Sequence, residues 1–448
     1  MTRIVTAVAF LFLPIAIFAQ ANDAGKLLAK AKEEMKKIRD NEEPDYVLAG
    51  KWLEDVVKQQ PDNAEAWYYY GCAIDRYNHK NRENITDAQE PLTENASLAF
   101  ENCLKLSNDK YTGDILLLDP HTKILLAWGT QALQFAYDDD RDSAEWCLKQ
   151  AALRGGINKT VATYFRQVLD ECARGSYLFT TGDMYTYYFM YLQWIEHFRQ
   201  DVVCIDLNLL NTFWYPEWLE QKNVVQFSYT NDDFGKVKQL RWDTKDISIP
   251  NKNEAYSQTA LLWTLKPTQG NSLLRSDQML LNILQQNSFI KPIYFAGDVP
   301  SNMMLFLDGY LQIKGLTYRL LPYTNATNET ELALRLRRLP VLSSERSNYL
   351  NSRDNIQVLN NYRFAYTTAA INASKNGHTE AALKLIEISE RKYPENMLPF
   401  FAEATKQWFV QLKKKAENAG NSLKQARYPE QHSLKDHLQY VPAILFFG

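Results

Sequence analysis

The stretch LFTTGDMYTYYFMYLQ, residues 178–193, decides the fold of the middle of the chain. An apolar run stops at Thr-Thr-Gly-Asp and an aromatic-rich helical pattern begins. SYLFT (176–180) reads as a buried strand, Met184 to Phe198 as a helix, and VVCIDL (202–207) as a second strand. Strand, crossover helix and strand make a βαβ unit with parallel strands. KPIYFA (291–296) is a third short apolar run, preceded by a helical pattern, RSDQMLLNILQQNS (275–288), with Ser276 as its expected N-cap. SNMMLFLDGY (301–310) looks helix-like, and LTYRLLP (316–322) reads as a fourth strand. VVQFSYT and KVKQLRW are expected to form a hairpin around NDDFG (231–235). Residues 174–340 are therefore expected to form a Rossmann-like parallel α/β domain.

The flanks carry a different period. In QQPDNAEAWYYYGCAI, Pro61 lies six residues before Trp67, and Tyr70-Gly71 and Ile74 follow. That is the order of a tetratricopeptide helical hairpin, whose small residues let two helices approach closely. Ala49, Leu53 and Val56 fall at the apolar positions of the preceding helix. Ala96, Phe100 and Cys103 fall there in the next, after an insertion around NHKNRENITDAQE (78–90). Trp128-Gly129 with Ala144, Leu148 and Ala151 suggests a third pair, and Ala370, Ala382, Ile386 and Pro394 another near the C-terminus. The competing reading is an ordinary amphipathic bundle with accidental phase. The expected fold is α plus α/β: tetratricopeptide-like hairpins over 22–173 and 341–424 flanking the inserted α/β domain, with a tail over 425–448.

With 50 Lys plus Arg against 53 Asp plus Glu, the 448-residue chain has no basic excess for nucleic acid or an anionic membrane. Ile4–Phe18 is apolar and ends in Ala19-Gln20-Ala21, which reads as a signal peptide over 1–21 cleaved before Asn22. Fifteen residues fall short of the ~20 that span a bilayer. No later run is long enough, so an exported, periplasmic protein with no membrane span after cleavage is expected. The five cysteines (Cys72, Cys103, Cys147, Cys172, Cys204) show no CxxC pair and read as buried small hydrophobes. A Cys72–Cys103 bridge is the minor alternative. No His pair has metal-ligand spacing, no GxSxG occurs, and no cofactor is expected. Asn84, Asn95, Asn158, Asn325, Asn328 and Asn372 head glycosylation sequons, and Asp142-Ser143-Ala144 fits a bacterial O-glycosylation pattern.

The block from Gly182 to Tyr215, with KPIYFA, resembles the soluble C-terminal half of Gram-negative protein-O-mannosyltransferase-like membrane proteins. It keeps Gly182, Asp183, Gln193, Arg199, Asp201, Val202, Leu207, Leu209, Leu210, Asn211, Thr212, Trp214 and Tyr215, and Pro292 to Ala296. Where that family has Asn-Asp after Gly-Asp, this chain has Met184-Tyr185. The membrane part, which holds the catalytic acid in such transferases, is absent. The resemblance implies an exported α/β module without transferase activity.

Thr181, Gly182 and Asp183 lie at a strand-to-helix turn, where a carboxylate either caps the helix or meets a ligand at the sheet edge. With one glycine and an aspartate, this turn is unsuited to phosphate. Asp206 ends the second strand, with Asn211 close behind. Trp214 and Tyr215 begin an aromatic cluster that is either core or a sugar-stacking surface. The leading expectation is a non-catalytic scaffold binding a protein partner in the cell envelope. The alternative is a glycan-handling module using Thr181, Gly182, Asp183, Asp206, Asn211, Trp214 and Tyr215. An open cleft shared by these groups favours the second, and a buried aromatic cluster the first.

Overall fold

The computed structural model describes residues 9–40, 42–79, 85–229, 231–324, 327–342 and 344–425. The side chains of residues 9–22, the sequons at Asn84 and Asn325, and residues 426–448 of the expected tail lie outside the described residues, as do residues 1–8 of the expected leader. By contact the chain divides into two compact units, Met1–Ile157 and Asn158–Gly448. No described helix is long and apolar enough to cross a membrane.

The first unit is helical: α1 (Ala9–Lys36), α2 (Tyr46–Gln59), α3 (Ala64–Asn78), α4 (Glu90–Leu106), α5 (Pro120–Tyr137) and α6 (Arg141–Leu153). Each helix from α2 to α5 packs against the one before it and the one after. Asp45, Asn63, Asp119 and Asp140 start α2, α3, α5 and α6, each accepting from a free first-turn N–H, a contribution of about 1 kcal/mol apiece. The positions expected to repeat are enclosed: Ala49, Leu53, Val56, Ala96, Phe100, Cys103, Trp128, Ala144, Leu148 and Ala151 are all 0% exposed. Gly71 is small for a reason. A Cβ there would stand 2.7 Å from the Phe100 ring of α4. Trp67 Nε1 donates to Pro61 O at 2.9 Å, tying the Pro–Trp spacing into one turn. A buried ion pair, Lys123 to Asp75, joins α5 to α3. Burial pushes the Asp75 carboxyl up, but Lys123 and His79 outweigh it and hold it well below the carboxylate range.

The second unit is built on a five-stranded sheet of order β2-β1-β7-β9-β8. Helix α7 (Lys159–Glu171) leads into β1 (Tyr177–Thr180), α8 (Asp183–Met190) and β2 (Val203–Asp206). After α9 (Trp214–Gln221) and the single turn α10 (Asn231–Phe234), β3 (Leu240–Arg241) pairs with β6 (Ser272–Leu273), and β4 (Lys245–Pro250) with β5 (Ala260–Leu265). Helix α11 (Arg275–Asn287) then feeds β7 (Ile293–Ala296), followed by β8 (Leu311–Ile313) and β9 (Thr317–Leu320). Five helices end the unit: α12 (Glu329–Arg338), α13 (Arg353–Leu359), α14 (Asn361–Lys375), α15 (Thr379–Lys392) and α16 (Glu403–Gln425). The last three pack in succession, with Ala370, Ala382, Ile386 and Phe409 in their core. The division at Ile157 puts α7 with the sheet, and α12–α16 share its unit.

β1 and its two neighbours are parallel, and every residue of β1 and β7 is buried. The expected all-parallel sheet is corrected at its other edge, because β9 runs antiparallel to β7 and β8 antiparallel to β9. A short return through residues 301–310 leaves no helix long enough for a parallel crossover. That stretch is a series of turns, with Leu305 and Phe306 at φ 54° and 57°. The expected hairpin around NDDFG does not form. Phe227 and Phe234 instead pack edge to face, 5.2 Å apart, inside the unit. The helix expected to reach Phe198 stops at Met190 and continues as a π turn, Tyr191–Ile195. Ser276 lies inside α11; Leu274 precedes that helix, and its N–H is taken by the Asp277 carboxylate at 2.7 Å. All five cysteines are free thiols, four of them buried.

Candidate functional site

Sheets that wind outward from a central strand bind ligands beyond the carboxyl ends of the strands, where the winding reverses. Here β2 lies on one side of β1 and β7 on the other, so the reversal falls at β1. Three carboxylates stand at that edge: Asp183 after β1, Asp206 ending β2, and Asp298 after β7.

Gly182, not Asp183, occupies the N-cap of α8, at φ 93°, a backbone conformation that favours glycine. Asp183 is the first helical residue, half-buried, and favours the positive end of the helix. The expectation that Asp183 itself caps is thereby corrected. Thr181 is half-buried beside it.

Asp206 is 3% exposed. Its Oδ1 accepts from Asn208 N at 2.7 Å and Leu209 N at 3.2 Å, and its Oδ2 from the Thr186 hydroxyl at 2.7 Å. Burial pushes its carboxyl up to about 6, with the Asp183 charge adding to the rise. The carboxylate therefore shapes the turn after β2 and ties it to α8. Tyr215 reaches the same strand end, its hydroxyl accepting from Asp206 N at 3.4 Å. Trp214 and Tyr215 are 7% and 4% exposed and pack edge to face, 5.4 Å apart. Asn211 alone of the seven candidates is exposed, and its Oδ1 accepts from Ser276 N at the start of α11.

Four residues that sequence reasoning missed meet at the reversal point, two buried tyrosines, the half-buried Asn361 and the exposed Asp298. The hydroxyls of Tyr164 and Tyr185 lie 2.8 Å apart and are buried. Asn361 Nδ2, at the start of α14, donates to Tyr164 at 3.1 Å and Tyr185 at 3.4 Å, and faces Asp298 Oδ2 at 3.4 Å. Tyr185 also hydrogen-bonds Asp298. A signal existed: Ala296-Gly297-Asp298 after β7 echoes Thr181-Gly182-Asp183 after β1.

The remaining markers of the resemblance do structural work. Arg199 donates to Leu169 O and Cys172 O at the end of α7 and forks onto Asp201 at 2.8 and 2.9 Å. Asp201, held down at about 2 by Arg199, accepts from Gly175 N. Gln193 Nε2 donates to Arg199 O and Val202 O. Together they fasten the starts of β1 and β2. Among the described residues no group of three or more His, Cys, Asp or Glu is arranged to hold a metal ion.

Residues 162–238 and 239–336 match the family described as TMEM260-associated domain 2. TMEM260 belongs to a protein O-mannosyltransferase-like family, so this region is related to a glycosyltransferase-like one. No curated protein matches the chain.

Proposed function

We propose that the protein is an exported, periplasmic interaction protein that takes a protein partner on its tetratricopeptide-like helices and carries out no catalysis. The observation that supports this reading is how the edge of the sheet uses its polar groups. Asp206 is enclosed and spends its oxygens on two backbone N–H groups and a hydroxyl, and Trp214 and Tyr215 are core. An open glycan cleft would need these groups at its surface. The repeat phase of α2 to α6, enclosed at the positions such hairpins require, supports the partner surface. A second reading, carbohydrate binding through Thr181, Asp183 and Asn211, draws on the family relationship alone.

Cross-linking in the native envelope followed by mass spectrometry tests both. The first reading expects a stoichiometric protein partner whose cross-links map within residues 22–153, and whose capture survives Asp183→Ala. Capture of glycan that Asp183→Ala abolishes, with no protein cross-linked to the helices, would overturn it.

A further inference from the structure

Arg275, the first residue of α11, is a buried charge without a counter-charge. It is 4% exposed. Nε donates to Thr212 O at 3.0 Å, and Nη1 to Phe234 O and to Val237 O, the latter at 2.7 Å. Nη2 is enclosed and has no hydrogen-bond partner, and among the described residues no carboxylate pairs with the guanidinium. Arg363 shows that a buried guanidinium can be served by neutral acceptors: it donates to Asn360 Oδ1, Tyr393 O and Leu398 O. Arg275 is left one acceptor short. Buried charges are normally paired, and a buried donor of this kind calls for an acceptor.

Its position says what kind. Helix α11 has thirteen residues, and its N-terminal end carries the positive pole of the helix. That end lies against the turn after β2, where Asn211 bonds Ser276 N and Thr212 bonds Arg275. The nearby acids are already engaged: Asp277 accepts from Leu274 N and Thr268, and Asp206 from its own turn. Phe213, 38% exposed, lies over the guanidinium with its ring centroid 4.7 Å away and separates it from solvent. We propose that Arg275 Nη2, at the positive end of α11, forms a site for a small oxyanion, a phosphate or a carboxylate group, entered past Phe213. The site is separate from the β1–α8 turn around Asp183, and the proposal does not depend on what the helical repeats bind.

Thermal unfolding of the full chain, at matched ionic strength, with inorganic phosphate in one series and acetate in the other, tests it. A saturable rise in Tm with either anion, about 2–5 °C at a hundredfold excess over Kd, is the expected result. In Asn211→Asp the new carboxylate still accepts from Ser276 N, its Tm without anion controls for folding, and the anion-dependent rise should vanish. No saturable rise in the wild-type protein with either anion would overturn the proposal, as would an unchanged rise in Asn211→Asp.

Discussion

Replacing Asp206 by asparagine should stabilise the protein at alkaline pH, although Asp206 makes three hydrogen bonds. The carboxyl is raised from 3.8 to about 6 by burial and by the nearby Asp183 charge. At about 1.4 kcal/mol per pH unit, that gap is worth about 3 kcal/mol. The direction follows from which state holds the proton. Below pH 3.8 both folded and unfolded chains are protonated, and ionisation costs nothing. Between 3.8 and about 6 the unfolded chain ionises first, so stability falls as pH rises. Above 6 the folded protein carries the full penalty. Asparagine keeps an Oδ1 for Asn208 N and Leu209 N, and its amide can donate to Thr186, whose hydroxyl then accepts. Urea unfolding of Asp206→Asn should give a ΔG within about 0.5 kcal/mol of wild type near pH 4 and higher by about 2–3 kcal/mol at pH 8. Asp206→Ala, which leaves two N–H groups without their acceptor, should lose about 2–4 kcal/mol at pH 4 and recover part of that at pH 8. If Asp206→Asn is less stable than wild type at pH 8, the charge is compensated and the reasoning is wrong.

Glu171, which burial pushes up to about 7, accepts from Leu316 N and the Thr317 hydroxyl. Stability should therefore keep falling as pH rises through 7 in Asp206→Asn, and Glu171→Gln should remove that residual slope in the same urea titrations. Gly315 sits at φ 132° with Glu171 Oε1 where a Cβ would go, so Gly315→Ala should cost about 2–4 kcal/mol by chemical denaturation. Lys123→Met leaves the Asp75 charge with His79 alone and should cost about 3–5 kcal/mol, most of it regained in the double variant with Asp75→Leu. Gly71→Ala should cost about 1–3 kcal/mol by pressing on the Phe100 ring, and Phe100→Leu should suppress that added cost in a double-mutant cycle.

Short-range signals carried much of this fold into the sequence. Alternating small and large residues at Gly71, Ala96 and Phe100 mark surfaces that must interdigitate, and these helices formed where the spacing put them. The three parallel strands were equally legible, as short apolar runs bounded by turn signals, β1 and β7 being buried throughout. The failures lie where distant residues decide. Nothing local to LTYRLLP states that β9 pairs antiparallel with β7, and nothing local to VVQFSYT states that Phe227 belongs beside Phe234. At the candidate edge, the positions of Asp183 and Asp206 on their elements could be read, but their burial could not. The Tyr164–Tyr185–Asn361–Asp298 group spans α7, α8, α14 and the end of β7, a convergence that no spacing rule encodes. Arg275 was equally hidden, since a single arginine at a helix start looks like any other.

That convergence also bears on how the C-terminal helices and the sheet evolve together. Asn361, at the first turn of α14, donates to two phenols at the point where sheets of this topology take ligands. Shifting the start of α14 by one residue would turn the Asn361 amide away from both hydroxyls. No strand would need to change. The first turn of a C-terminal helix and the winding edge of the sheet are therefore tied through one side-chain amide, so that α14 and α8 cannot move independently.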